Sequence, residues 1–188
     1  MSHVALPPAN YAELEQMTAT PIEGSGWEEL FDYTTFEAKM CYTNVAKVML
    51  NNPDRELRYV LGYICSGNLA KNIYIAHAWL ETADGTLLDP TFDLVERNHL
   101  DMDDTRYVYF PRIKMTEAEF DAYLEKMELE RGAMYAPDHS NIQTSPELVA
   151  KLAPFEDCDG LTRMINHVGH HDLGWSQEEQ RFTKERED

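Results

Sequence analysis

Basic residues are scarce in this chain: 16 lysines and arginines stand against 34 aspartates and glutamates, a formal charge of -18 over 188 residues. So acidic a surface repels nucleic-acid backbones and anionic membranes, and neither is expected as a partner. A basic protein partner, or plain solubility, fits better. Long apolar runs are missing too. No window approaches the roughly 18 to 20 apolar residues of a membrane-spanning helix. The opening MSHVALPPANYAELEQ lacks the basic and apolar regions of a secretory signal, so a cytosolic location is expected. Cysteine is rare: Cys41, Cys65 and Cys158 form no even framework, and a chain of this size needs no disulfide in a reducing compartment, so all three are read as free thiols. There is also no glycine-rich phosphate loop between strand and helix, and no carboxylate pair with glycosidase spacing. Nucleotide-driven and sugar-cleaving chemistry are set aside, and no cofactor is implied.

What is present suits one α+β domain with its own core. Residues 1–26, with Pro7, Pro8, Pro21, Gly24 and Gly26 around a short polar helical stretch near Tyr11 to Met17, read as a surface arm. The domain proper is expected over 27–175, with its core at about 36–113, and the charged tail 176–188 is expected to be disordered. Trp27 to Tyr33 reads as a short helix. From Thr35 to Asn51 apolar residues recur at helical spacing, with Val45, Val48 and Met49 as the buried stripe and Asn51 to Asp54 as the stop. Strands are expected at Leu57 to Cys65, Ile73 to Thr82, Thr86 to Phe92 and Arg106 to Ile113, in a sequential antiparallel sheet packed on the Cys41 helix. The C-terminal half reads as mostly helical. Thr116 and Glu119 make a capping box for a helix to about Arg131, and further helices are expected after Ser145 and Asp159.

Cys41, His77 and Asp89 stand in that order, the first at one end of a helical stripe and the others on neighbouring strands. They supply a thiol nucleophile, its base and the group that orients the base. The hairpin gives a geometric test. A two-residue turn at Asp84 and Gly85 would put Asp89 on the face opposite His77. A three-residue loop of Ala83, Asp84 and Gly85 pairs Thr82 with Thr86, places Asp89 diagonal to His77 and requires a left-handed Gly85. A cysteine near a helix N-terminus and beside a histidine is expected to favour its thiolate.

The set CYTN, YVLGY, HAW (His77 to Trp79) and DPT (Asp89 to Thr91) resembles the papain-like and transglutaminase-like cysteine enzymes. It is also similar to small bacterial and phage proteins with C-x-x-N, G-Y, H-A-W and D-P-T in this order. The resemblance covers about residues 36 to 92 and implies Cys41 as nucleophile, His77 as general acid and base, and Asp89 as orienter. It implies attack on an amide or related acyl bond in a protein, peptide or small substrate, through a thioester. Hydrolysis, deamidation and acyl transfer share that intermediate. Many papain-like enzymes place an oxyanion-hole glutamine several residues before the cysteine; here Thr35 stands six before Cys41. The Cys41 amide, Asn44 and Thr35 are the oxyanion candidates, and Trp79 is a candidate for substrate contact or core.

Blander readings stand beside these. A buried cysteine is commonly inert, and a histidine on an apolar strand is commonly a core residue. Cys65 reads as a small buried filler. The loop Asp101 to Asp104 lacks the ligand spacing and glycine of a calcium site. His167, His170 and His171 with Cys158 lack the spacing of a zinc motif, so no metal site is assigned. The alternative function is a non-catalytic acidic binding or inhibitor protein on the same scaffold, such as a phage-encoded protein directed at a basic host protein.

Overall fold

The computed structural model describes residues 4–6, 15–66, 74–98, 107–139, 141–144 and 156–157. Strands β1 (Val4–Leu6), β2 (Arg58–Ser66), β3 (Tyr74–Glu81), β4 (Leu87–Leu88), β5 (Tyr107–Met115) and β6 (Glu156–Asp157) accompany helices α1 (Cys41–Asn51), α2 (Pro90–Asn98) and α3 (Glu117–Arg131). The fold class is α+β. The sheet runs β5-β2-β3-β1-β6 with every pair antiparallel, and β4 adds to the β3 edge.

This order corrects the sequential meander. The strand near 106–113 returns to pair with β2, not with its predecessor. The strand expected at Thr86 to Phe92 ends at Leu88, because Pro90 has no amide for a ladder and its fixed φ suits the first residue of a helix. The helix expected at Trp27 to Tyr33 is a single 3-10 turn, Glu28–Leu30. The arm is also more than a wrapping. Its residues 4–6 form β1, Ile22 is buried in the main core, and Met17 forms a bridge with Tyr109, while residues 11–14 of the helical stretch expected near Tyr11 to Met17 lie outside the described residues.

The two sheet faces are covered differently. On one, Tyr59, Leu61, Ala76, Ala78, Leu80 and Ile113 meet Val45, Val48 and Met49 of α1 and Phe120 and Leu124 of α3. Each large apolar side chain fully buried there stabilises the fold by about 1.5 to 3 kcal/mol. On the other, Val60, Ile64, Trp79, Leu87 and Tyr109 lie beneath Met17, Ala19, Phe92 and Tyr107. Strand alternation puts His77 on this second face with Trp79.

Helix α1 starts at Cys41, six residues after the expected Thr35. Lys39 takes a left-handed conformation at φ 73°, and the Met40 amide closes a turn on the Glu37 carbonyl, so the chain cannot be helical before Met40. At the far end the Asn52 side chain donates to the Val48 carbonyl, and Pro53 follows. The capping box of α3 is present as expected, with Gly132 left-handed at its C-terminus.

Gly62 has a reason to be glycine. A methyl there would overlap the Phe110 carbonyl oxygen and the Trp79 ring. The register of β2 against β5 shifts beside it: Leu61 faces Ile113 and Gly62 faces Pro111, leaving Arg112 as the extra residue of a bulge.

Cys65 and the strand it closes lie at the end of β2, with its side chain outside the described residues. The helices expected after Ser145 and Asp159, the Asp101–Asp104 loop, the cluster of His167, His170, His171 and Cys158, and the tail 176–188 lie outside the described residues. Among the described residues no helix is long and apolar enough to cross a membrane, and no group of histidine, cysteine and acidic side chains is placed to hold a metal ion.

Candidate active site

The outer edge of β3 is occupied at its two ends. β1 pairs with Tyr74 and Ile75, and β4 pairs with Leu80 and Glu81. Between them Ala76 to Trp79 pair with β2 on the inner side, α1 packs against β3, and α2 packs against α1. The site forms there.

Asp89 arrives by a route the sequence pattern did not suggest. The hairpin takes the three-residue loop: the Thr82 amide donates to Thr86 O at 2.9 Å, the Gly85 amide to Thr82 O at 2.9 Å, and Gly85 is left-handed at φ 85°. Past Leu88, however, Asp89 caps α2 and is not a strand residue. Its Oδ1 accepts the amides of Thr91 at 3.0 Å and Phe92 at 3.1 Å, and its carbonyl accepts the Asp93 amide. That leaves Oδ2 pointing at β3, where it meets His77 Nε2 at 2.6 Å and accepts the Tyr109 hydroxyl at 2.8 Å. The carboxylate is 2% exposed and receives four donors, as a buried charge must.

His77 is 5% exposed, its ring set among Trp79, Phe92 and Tyr109, with Phe92 edge-on at 5.2 Å. Burial opposes a charge on the imidazole. The Asp89 carboxylate, bonded to the ring, and after it the neighbouring Cys41 side chain outweigh burial and raise the pKa from 6.5 to about 10. With Nε2 held by Asp89, Nδ1 is the nitrogen left for Cys41.

Cys41 is the first residue of α1 and is 5% exposed. Met40 at the N-cap makes no side-chain capping bond, and no acid stands in the first turn. No carboxylate of the helix's own first turn offsets its positive end.

The other sequence candidates fall elsewhere. Asn44 is fully buried, and its amide is engaged on all sides: Oδ1 accepts the Glu37 amide, and Nδ2 donates to Glu37 O and Thr91 Oγ1. It fixes the loop before Cys41 to α1 and α2 and has no N–H left for an oxyanion. Thr35 is exposed. Its hydroxyl donates to Asp32 O and its carbonyl accepts Lys47, so none of its bonds reaches Cys41, His77 or Asp89. Trp79 is core: 0% exposed, edge-on to Tyr109 at 5.1 Å and over Gly62.

Sequence reasoning missed two groups. Tyr109 lies on the strand reached after α2, with no spacing that links it to Asp89. Residues 136–139 lie deeper under α1: Tyr42 Oη is 3.2 Å from His139 Nδ1, and the Tyr59 hydroxyl donates to Pro137 O at 2.7 Å. Burial first, then the neighbouring Cys41 and Asp138 side chains, hold the Tyr42 and Tyr59 phenols well above their usual range. Both stay protonated beside the cysteine.

Comparison with protein-family models, with curated proteins and with solved structures finds no match for this chain.

Proposed function

We propose that this chain is a cysteine-dependent hydrolase or acyltransferase, with a papain-like or transglutaminase-like core, acting on an amide or related acyl bond. One observation carries the reading: Asp89 holds His77 Nε2 at 2.6 Å, and the Cys41 side chain, at the N-terminus of a helix, is near enough to act on the same ring. A thiolate formed at Cys41 attacks the acyl carbon, the new C–S bond forms, and the carbonyl electrons move to oxygen. The Cys41 backbone amide is one donor for that oxyanion. Collapse breaks the bond to the leaving group, which takes the proton from His77 Nδ1, and a thioester remains. His77, now neutral, takes a proton from water or an amine as it attacks, and the thiolate leaves. Water gives peptidase or deamidase activity, and an amine gives transglutaminase-like transfer. The thiol chemistry fits a reducing compartment such as the cytosol.

The test is acyl-enzyme trapping. Wild-type protein and Cys41→Ala are treated with an activated acyl ester and mapped by mass spectrometry. A single acyl group on Cys41, released by hydroxylamine and slow to form in His77→Ala, is expected. Acylation scattered over lysines and equal in Cys41→Ala would refute the reading.

The burial of both Cys41 and His77 at 5% exposure favours a second reading: a non-catalytic acidic scaffold that engages a basic protein. That reading predicts no adduct at Cys41 with any acyl probe, and binding to a basic partner that survives Cys41→Ala.

A further inference from the structure

Asp89 Oδ2 takes two donors, and only one of them belongs to the proposed Cys-His-Asp set. The second is the Tyr109 hydroxyl at 2.8 Å. We infer that Tyr109 is a positioning residue of the site, which acts through Asp89 by sharing the oxygen that orients His77. The inference rests on the reading of Cys41, His77 and Asp89 as a working set.

Tyr109 is held for this role from both ends. Its ring is 1% exposed and wedged edge-on against Trp79 at 5.1 Å. Its backbone is bonded twice to Met17 of the arm, amide to carbonyl at 2.9 Å in each direction. The same arm segment reaches the strand that leads into Asp89, through the Thr20 amide on Leu87 O at 2.9 Å. One stretch of chain thus ties the backbones of Tyr109 and of the approach to Asp89 together.

The chemistry follows from counting donors on one oxygen. A phenol donating to Oδ2 draws charge from it and weakens its hold on the His77 proton. Among the described residues, the titratable groups near His77 are Asp89 before α2, Cys41 on α1 and Tyr109 on β5. Glu81, on the same face of β3, is paired with Arg58 at 2.9 Å and Lys114 at 2.6 Å. Tyr109 is therefore the neutral group placed to adjust the Asp89–His77 pair. It keeps the imidazolium from being held too tightly to release its proton to a leaving group.

The experiment is a titration of His77 in isotope-labelled full-length protein by NMR, with the signal assigned by its loss in His77→Gln. Tyr109→Phe keeps the ring and removes the hydroxyl, and the His77 midpoint is expected to rise by about half to one pH unit. Placing 3-fluorotyrosine at position 109 makes the phenol a stronger donor with almost no change of shape, and the midpoint is expected to fall. Opposite movements in the two proteins are a result that lost packing would not give. The fluorinated protein decides the matter alone if Tyr109→Phe does not fold. An unmoved midpoint, or movement in one direction in both, overturns the inference. A wild-type midpoint near 6.5 would instead remove the Asp89–His77 coupling on which the functional reading stands.

Discussion

His77 and Asp89 meet at 2.6 Å although strand pairing does not bring them together. Asp89 reaches the histidine as the N-cap of α2, with one carboxylate oxygen on the helix amides and the other on the imidazole. A single side chain therefore starts a helix and orients the base of the proposed site.

Asp89→Asn separates those two roles. Asparagine caps about as well as aspartate, so the start of α2 survives, but the charge that holds the His77 proton is gone. Burial is then opposed only by the Cys41 side chain, and the His77 midpoint is expected to fall well below about 10 in an NMR titration. Asp89→Ala loses the cap as well and should cost about 1 kcal/mol more in urea unfolding. A His77 midpoint still near 10 in the asparagine variant would show that Asp89 is not its source.

Stability should depend on pH through the same pair. The folded-state pKa of His77, about 10, lies above the ordinary 6.5, so the folded protein binds the proton more tightly than the unfolded chain. The stabilisation is fully present below about pH 6.5 and is lost as pH rises through about 10. Urea midpoints measured across this window should decline in wild type and decline much less in His77→Gln. Equal slopes would contradict the assignment.

Gly62→Ala tests the packing that places His77 and Trp79. The added methyl meets the Phe110 backbone and the Trp79 ring, and the bulge at Arg112 leaves no easy relief. A loss of about 3 kcal/mol is expected from urea denaturation. A variant of wild-type stability would mean that β2 and β5 are not so close.

Several features were legible because their physics is local. The loop at Ala83, Asp84 and Gly85 demanded a left-handed glycine, and Gly85 has φ 85°. Thr116 and Glu119 announced the start of α3 at the right residue, and the stripe Val45, Val48 and Met49 faces the sheet. Asp89, Pro90 and the apolar residues after them are also a local helix-start signal, but they follow a strand pattern whose continuation masks it. What stayed hidden depends on distant pairing. Nothing near Tyr107 to Met115 says that this strand returns to β2, and nothing near Tyr109 says that its hydroxyl reaches Asp89. Asn44 was misassigned because helix position puts it near Cys41, while only the folded loop shows its amide tied to Glu37 and Thr91.

The most direct test of the account is the pH dependence of iodoacetamide labelling, with the modified cysteine located by mass spectrometry in wild type and in His77→Ala. An activated thiolate-imidazolium pair predicts rapid labelling of Cys41 that persists below neutral pH and falls at least about tenfold in the variant. Slow labelling of Cys41, or labelling at a rate indifferent to His77, would contradict the pair and with it the catalytic reading.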